Sequence, residues 1–473
     1  MILRRDFSAF WQAPYRPLFL SAFLCALLTV AWWPLGVQLG LPAPGLEPAV
    51  LWHVHELIFG FAAAAIGGYL LTALPSWTGR PALRSTGLKA LVLVWLLARA
   101  AMAISTALPL ALPLLLNAVF LCGLACIIGQ QVVAAGAYRK LGFAAAMLAL
   151  GLGEAVFLTE AAAGNIWNSL ALAQTVLTGM ILLLFSVGAR AIPAFTRNWL
   201  AQNRCAGPSV REFPRIRAAS QGLLALALAL KLAGYADAAH AALIAAATAM
   251  LWTMLGWQTR AALSNPLLAA QHLAFLWLPL GALVIGVTGL GVADFPMAGA
   301  VHSITIGAMS GLIMAIAGRA GCHSRDGIMR AGNGFVAGVL LVWITTWIRL
   351  AAPLFPVPPS IFNANINYID YKGGEELPEK HGARIFSHPL NHPNGACGYK
   401  VVFGGKSICY LTDLEHPADG PDPGLVEFVR DTDIIIYDAC YTDEEYPAKA
   451  GFGHSTWQEG AKLADAANVG TYV

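Results

Sequence analysis

The chemistry-bearing stretch of this chain is Trp52-His53-Val54-His55-Glu56, which opens an apolar run from Leu57 to Leu74. Neutral imidazole is a common ligand for copper and haem iron, and a neighbouring carboxylate can orient a ligating ring. Charged or titratable groups at the mouth of a bilayer-length helix are costly unless they bind something. His53 and His55 are two residues apart and share no helix face. If the chain is still extended at the helix mouth, both rings face one way. Further imidazoles lie at His272, His302 and His323, and Glu56 is placed to hold a neighbouring ring.

The elements that must carry these groups are apolar runs near 18–38, 52–75, 88–108, 110–134, 142–162, 168–189, 218–236, 239–258, 268–290, 297–318 and 333–355. Each is near the roughly 20 residues that span a bilayer. Only 12% of the 473 residues are charged, against about 25% in soluble proteins. The sequence therefore predicts an all-α polytopic membrane bundle of eleven spans over residues 1–355, a junction at 356–360 and a soluble domain over 361–473. Up to Ser360 there are 21 Lys and Arg against 9 Asp and Glu; from Ile361 onward there are 8 against 17. The first run follows Arg4 and Arg5 but lacks a small-residue cleavage site, so it reads as a retained span and not a signal peptide. The cysteines form no disulfide or zinc framework, although Cys122 and Cys126 share a helix face, a spacing open to a thiolate pair for copper. No nucleic-acid partner is expected.

Eighteen of the 21 basic residues in the apolar half fall in alternate loops. The other three are Arg99, Lys231 and Arg349. By the positive-inside rule the N-terminus and the basic loops are cytoplasmic. The same orientation sorts the histidines. His53, His55 and His302 enter from the outer side at similar depth and are expected to converge, while His272 and His323 belong to the inner side. With eleven crossings the acidic tail would emerge on the outer side. Arg190, Arg197 and Asn198 are expected at the cytoplasmic end of the sixth span. There they serve positive-inside topology and helix capping, or pair with haem propionates, since an Arg fork matches a carboxylate.

Pro14-Tyr15-Arg16-Pro17-Leu18-Phe19, the stretch from Trp52 to Phe61, Leu71 to Arg80, Arg190 to Trp199 and the region from His302 to His323 resemble the NnrS family over roughly residues 5–350. The resemblance implies a polytopic bacterial inner-membrane protein that holds haem and copper. It also implies a link to nitric oxide metabolism and nitrosative stress. It makes His53, His55, His272, His302 and His323 the ligand candidates. The chain has Cys322-His323-Ser324-Arg325 where the family pattern reads Gly-His-Thr-Gly-Arg, and a final span of the family is not found.

In the acidic tail, Tyr399 to Phe403, Ser407 to Leu411 and Asp433 to Tyr437 read as strands and Trp457 to Ala467 as a helix. His392-Pro393-Asn394-Gly395, Tyr410 to His416, Ile436-Tyr437-Asp438-Ala439 and Gly453-His454-Ser455-Thr456 resemble the metallo-β-lactamase fold. The resemblance implies that His392 and Asp413 are metal ligands and that His454 lies near the site, with zinc or iron activating water. The His-x-His-x-Asp-His run of that family does not occur upstream. The tail is thus expected to be a truncated α/β fragment without hydrolase activity. Two other functions are open beside a haem and copper protein: a metal-dependent hydrolase acting through the tail, and a transporter whose histidines relay protons.

Overall fold

The computed structural model describes residues 9–36, 39, 45–46, 48–203, 209–293, 295–322, 329–351, 371–393 and 395–473. It divides into two compact units, Met1–Ile361 and Phe362–Val473. His323 lies outside the described residues, as do Arg4, Arg5 and the junction at 356–360.

Among the described residues the named elements of the first unit are all helices. Its principal helices are α1 (Tyr15–Ala31), α2 (Ala49–Thr78), α3 (Ser85–Ala103), α4 (Ala111–Ala134), α5 (Tyr138–Ala162) and α6 (Ile166–Gln202), followed by α7 (Pro214–Leu232), α8 (Ala236–Met254), α9 (Pro266–Gly289), α10 (Met297–Gly321) and α11 (Asn333–Ala351). Each falls on one of the eleven predicted runs, and eight are long and apolar enough to cross a membrane. The helix ends have local causes. Gly79 closes α2 in the left-handed region (φ 67°), its N–H donating to the Pro75 carbonyl. Asn265 starts α9 by accepting from the N–H groups of Leu267 and Leu268.

Two apolar cores lie side by side within this unit. One is built from α1 to α5, the other from α7 to α9, and α6 and α10 contribute to both. The outward faces are as apolar as the cores: Leu28 is 69% exposed and Leu152 68%. Such faces suit acyl chains and not water. Cys122 and Cys126 both lie on an exposed face.

α6 corrects one expectation. It does not end near residue 189 but runs unbroken through Pro193 to Gln202, 37 residues in all. Arg190, Arg197 and Asn198 are therefore helical residues and not cap or loop residues.

The second unit is a six-stranded sheet in the order β1 (Glu376–Lys380), β2 (Ala383–Leu390), β3 (Ala396–Phe403), β4 (Lys406–Leu411), β5 (Ile434–Tyr437), β6 (Thr471–Tyr472). β1 to β4 form an antiparallel meander, and β4, β5 and β6 are parallel. The parallel crossovers carry α12 (Pro423–Val429) and α13 (Trp457–Ala466), as parallel strands require. Leu411, Leu425, Val429, Ile435 and Leu463 make the core between sheet and helices.

Candidate functional site

The helices that carry His53, His55 and His302 both change winding at their histidines. α2 is α-helical from Ala49 to His55 and then makes a π-helical turn from Glu56 to Ala62. α10 is α-helical from Met297 to His302 and then π-helical from Ser303 to Ser310. π turns are rare and concentrate at functional sites. The one in α2 is held by neighbours: the Trp95 indole N–H donates to the Gly60 carbonyl at 3.1 Å. Gly60 also makes room for Arg99, since a Cβ there would stand 2.8 Å from a guanidinium nitrogen.

The three outer histidines do not converge. Residues 49–55 are helical, not extended, so His53 and His55 point about 200° apart around the axis. His53 and His302 lie within charge–charge range of each other and of Arg349. The Nδ1 of His302 is bonded to the Ala298 carbonyl one turn back, which leaves Nε2 as the nitrogen not committed to that bond. That is the tautomer-fixing arrangement of ligating histidines.

His55 goes elsewhere, into a charge cluster whose His55, Glu56 and Glu154 are buried and whose Arg99 is 12% exposed. Its Nδ1 lies 3.1 Å from a Glu56 carboxylate oxygen, and its Nε2 lies 3.1 Å from the Glu154 carboxylate of α5. The second contact runs off the ring N–H axis, making it an ion-pair contact and not an aligned hydrogen bond. Arg99 of α3 donates to Glu56 at 2.7 Å, approaches Glu154 at 3.8 Å and donates to the Asn117 side-chain oxygen of α4. The Asn117 amide is itself anchored on the Pro113 carbonyl at 2.8 Å. Cys25 of α1 faces Glu56 at 3.7 Å, and Phe59 and Phe157 pack on the His55 ring. Two carboxylates against one guanidinium leave one negative charge. An imidazolium at His55 neutralises it, donating to Glu56 and pairing with Glu154 by charge alone, whereas an uncompensated charge in a bilayer is costly. Neither nitrogen of His55 is free for a metal. Arg99, Glu154 and Asn117 carried no role in the sequence reading. Their signal was there: an Arg and a Glu in the interior of apolar runs.

The inner set is also redistributed. His272 is fully buried between two hydroxyls, with Thr196 at 2.9 Å from Nε2 and Thr259 at 3.0 Å from Nδ1. Thr196 spends its single proton on the Ile192 carbonyl, so it accepts from Nε2–H, and Nδ1 accepts from Thr259. Both nitrogens are satisfied, and Trp257 packs edge-on against the ring. His272 therefore pins α9 to α6 and offers no lone pair to a metal. Arg197 pairs with Glu212, which Arg217 also contacts at 2.8 Å. Arg190 lines a groove between α5, α6 and α7.

In the tail, parallel pairing of Leu411 with Tyr437 brings the ends of β4 and β5 together, the place where open α/β sheets hold ligands. Asp413 follows β4 with φ 59°, in the left-handed region. Its N–H donates to the Asp438 carboxylate at 2.8 Å, and Asp438 accepts from Nδ1 of His454 at 2.7 Å. Asp413 itself lies 3.9 Å from that nitrogen. His392 sits against Gly453, where any Cβ would meet its ring. Asp438, Cys440 and His454 have ligand atoms all within 4.8 Å of one another, a set able to hold a metal ion. Of the tail residues predicted from sequence, His454 belongs to this set, Asp413 lies beside it, and His392 stands against Gly453, one residue before His454. The hydrogen bond to Asp438 holds the His454 imidazole above its ordinary range. Burial pushes the Asp438 carboxyl up, but hydrogen bonds from His454, Cys440 and the Asp413 N–H outweigh it and hold it low. The Cys440 thiol is pushed up to about 11 by its hydrogen bond to Asp438 and by burial.

No curated protein matches the chain. Among solved structures, the tail is similar to the metallo-β-lactamase fold protein YhfI from Bacillus subtilis, at 16% identity and TM-score 0.20, covering 22% of this chain and 39% of that one. It is also similar to human tRNase Z, short form, at 23% identity and TM-score 0.18, covering 20% of this chain and 39% of that one. The chain thus spans about two fifths of each of these proteins. The NnrS protein family matches residues 9–366, which takes in α1 to α11. This chain belongs to the NnrS family of nitric-oxide-related membrane proteins.

Proposed function

We infer that this chain is a haem- and copper-binding protein of the bacterial cytoplasmic membrane, acting in nitric oxide metabolism and the nitrosative stress response, with its N-terminus in the cytoplasm. The observation that carries the reading is that the two helices bearing His53 and His302 both turn π-helical beside their histidines. His302 has its Nδ1 committed to a backbone carbonyl, as a ligating imidazole does. His53 and His302 would hold a redox metal there, which would supply a centre for binding nitric oxide or passing electrons. The chain's own residues hold and orient the rings, and the apolar bundle excludes water. His55 and His272 take structural parts in this reading, one in the charge cluster and one between two threonines. The orientation rests on the basic loops.

Absorbance spectra and copper analysis of the purified protein test it. Wild type should show a Soret band and bound copper, and His53→Ala and His302→Ala should each lose one of the two in a protein that stays monodisperse. Purified wild type with neither chromophore nor copper overturns the reading.

A second reading concerns the tail. Asp438, Cys440 and His454 make a three-ligand set for zinc or iron, with Asp413 beside them. On this reading the tail binds one metal ion and does not hydrolyse. Metal analysis of the full-length protein, wild type against His454→Ala, checks it; identical zinc and iron contents rule it out.

A further inference from the structure

Between α5, α6 and α7 lies a groove of about 800 Å³ that no part of the proposed function uses. Its walls are apolar, with Phe143, Leu150 and Leu172 among them, and no acidic residue lines it. One end carries three cations: Arg139 and Lys140 at the start of α5, and Arg190 on α6. None of the three is ion-paired with a carboxylate among the described residues. Lys140 and Arg190 are close enough to repel each other, and Lys140 Nζ stands 4.7 Å over the Trp77 ring. Like charges gathered at the end of an apolar slot, without a counter-ion, call for an anion attached to something apolar.

We propose that this groove is a binding site for one anionic phospholipid of the leaflet that faces the basic loops. Three features select this occupant. Charge complementarity requires a negative head at Arg139, Lys140 and Arg190. Length fits as well: the lining on α5 runs from Lys140 to Val156, about 24 Å at about 1.5 Å per residue. That is close to one leaflet with its headgroup, half of about 40–45 Å. Composition argues against haem, because no His or Cys lines the groove to ligate iron. A phosphodiester is held by the guanidinium forks and the ammonium, while the acyl chain covers Phe143 and Leu150.

The test is native mass spectrometry of the full-length protein transferred from mixed phosphatidylglycerol and phosphatidylethanolamine vesicles. Wild type should retain one phosphatidylglycerol and no phosphatidylethanolamine, and Lys140→Gln with Arg190→Gln should reduce that retention at least tenfold. A second variant guards against loss of folding. Gly142 lines the groove and a Cβ there meets nothing within 4 Å, so Gly142→Phe fills the slot and leaves every charge in place. It too should lose the lipid. Equal retention of the two lipids by wild type overturns the proposal, as does undiminished retention in either variant. A Soret band lost in the double variant with lipid retention unchanged would assign the groove to haem instead.

Discussion

Two imidazole–carboxylate clusters in this protein show how the same groups behave in different surroundings. Around Arg99, two carboxylates, a guanidinium and His55 are shut inside the membrane bundle, with the side chains of His55, Glu56 and Glu154 at 0%, 5% and 2% exposure. Around His454, an imidazole meets Asp438 and Asp413 at a sheet end open to water, with Asp413 58% exposed. In the first cluster, any change of charge leaves an ion stranded in a low-dielectric interior. In the second, water reaches Asp413 and His454, at 58% and 32% exposure, and screens their charges, although Asp438 between them is buried. The first should therefore answer to mutation with stability, and the second with titration.

The largest effect is expected from Arg99→Leu. It strands Glu56 and Glu154 and should cost about 3–5 kcal/mol, the range for breaking a buried pair. Size-exclusion and thermal unfolding in detergent would show it as loss of monodisperse protein; wild-type behaviour would mean that the cluster is hydrated. Gly60→Ala sharpens the point without touching charge, because its Cβ would press on an Arg99 guanidinium already fixed by Glu56 and Asn117. About 1–3 kcal/mol is expected, as for overpacking. Glu154→Gln leaves the cluster isosteric and should cost about 1–3 kcal/mol by the same assay, the range for a buried polar group deprived of its charged partner.

In the tail the effect is on protonation. His454 has its proton held by Asp438, so in metal-free protein it should titrate above its ordinary value of 6.5. Its contribution is fully present below 6.5 and is lost as pH rises through the raised value; that of Asp438 is present above 3.8 and is lost as pH falls through its depressed value. Histidine-labelled NMR of the full chain should show Asp438→Asn returning His454 toward 6.5; an unmoved titration would dissolve the pair. Smallest of all should be Lys406→Ala, at an ion pair with Asp433 whose lysine is 80% exposed. No measurable change in unfolding temperature is expected there.

The places of the helices were readable because a bilayer demands long apolar runs, and each of the eleven runs carries a helix, although the length of α6 was not. The tail strands at 399–403 and 407–411 were equally plain, whereas β1 and β2 were missed. β1 is Glu-Leu-Pro-Glu-Lys, a polar edge strand containing proline, and β2 also carries one. The convergence of His53 with His55 failed on local geometry: helix starts at Ala49, so an i, i+2 pair splits. Glu154 and Arg99 were legible as isolated charges in apolar runs, but their partners on α2 and α4 were not. Which faces of distant helices meet is decided by packing, and the π turns that aim those faces leave no periodic trace. His272 shows the complementary error: a buried histidine reads as a ligand until the two threonines beside it are seen.

The division of labour among the histidines is tested most directly by one experiment: the absorbance spectrum and copper content of purified His302→Ala and Glu154→Gln beside wild type. The account predicts that His302→Ala loses haem or copper while remaining folded, and that Glu154→Gln keeps both while melting earlier. Loss of the cofactors from Glu154→Gln, with full retention in His302→Ala, would place the metal at His55 and contradict it.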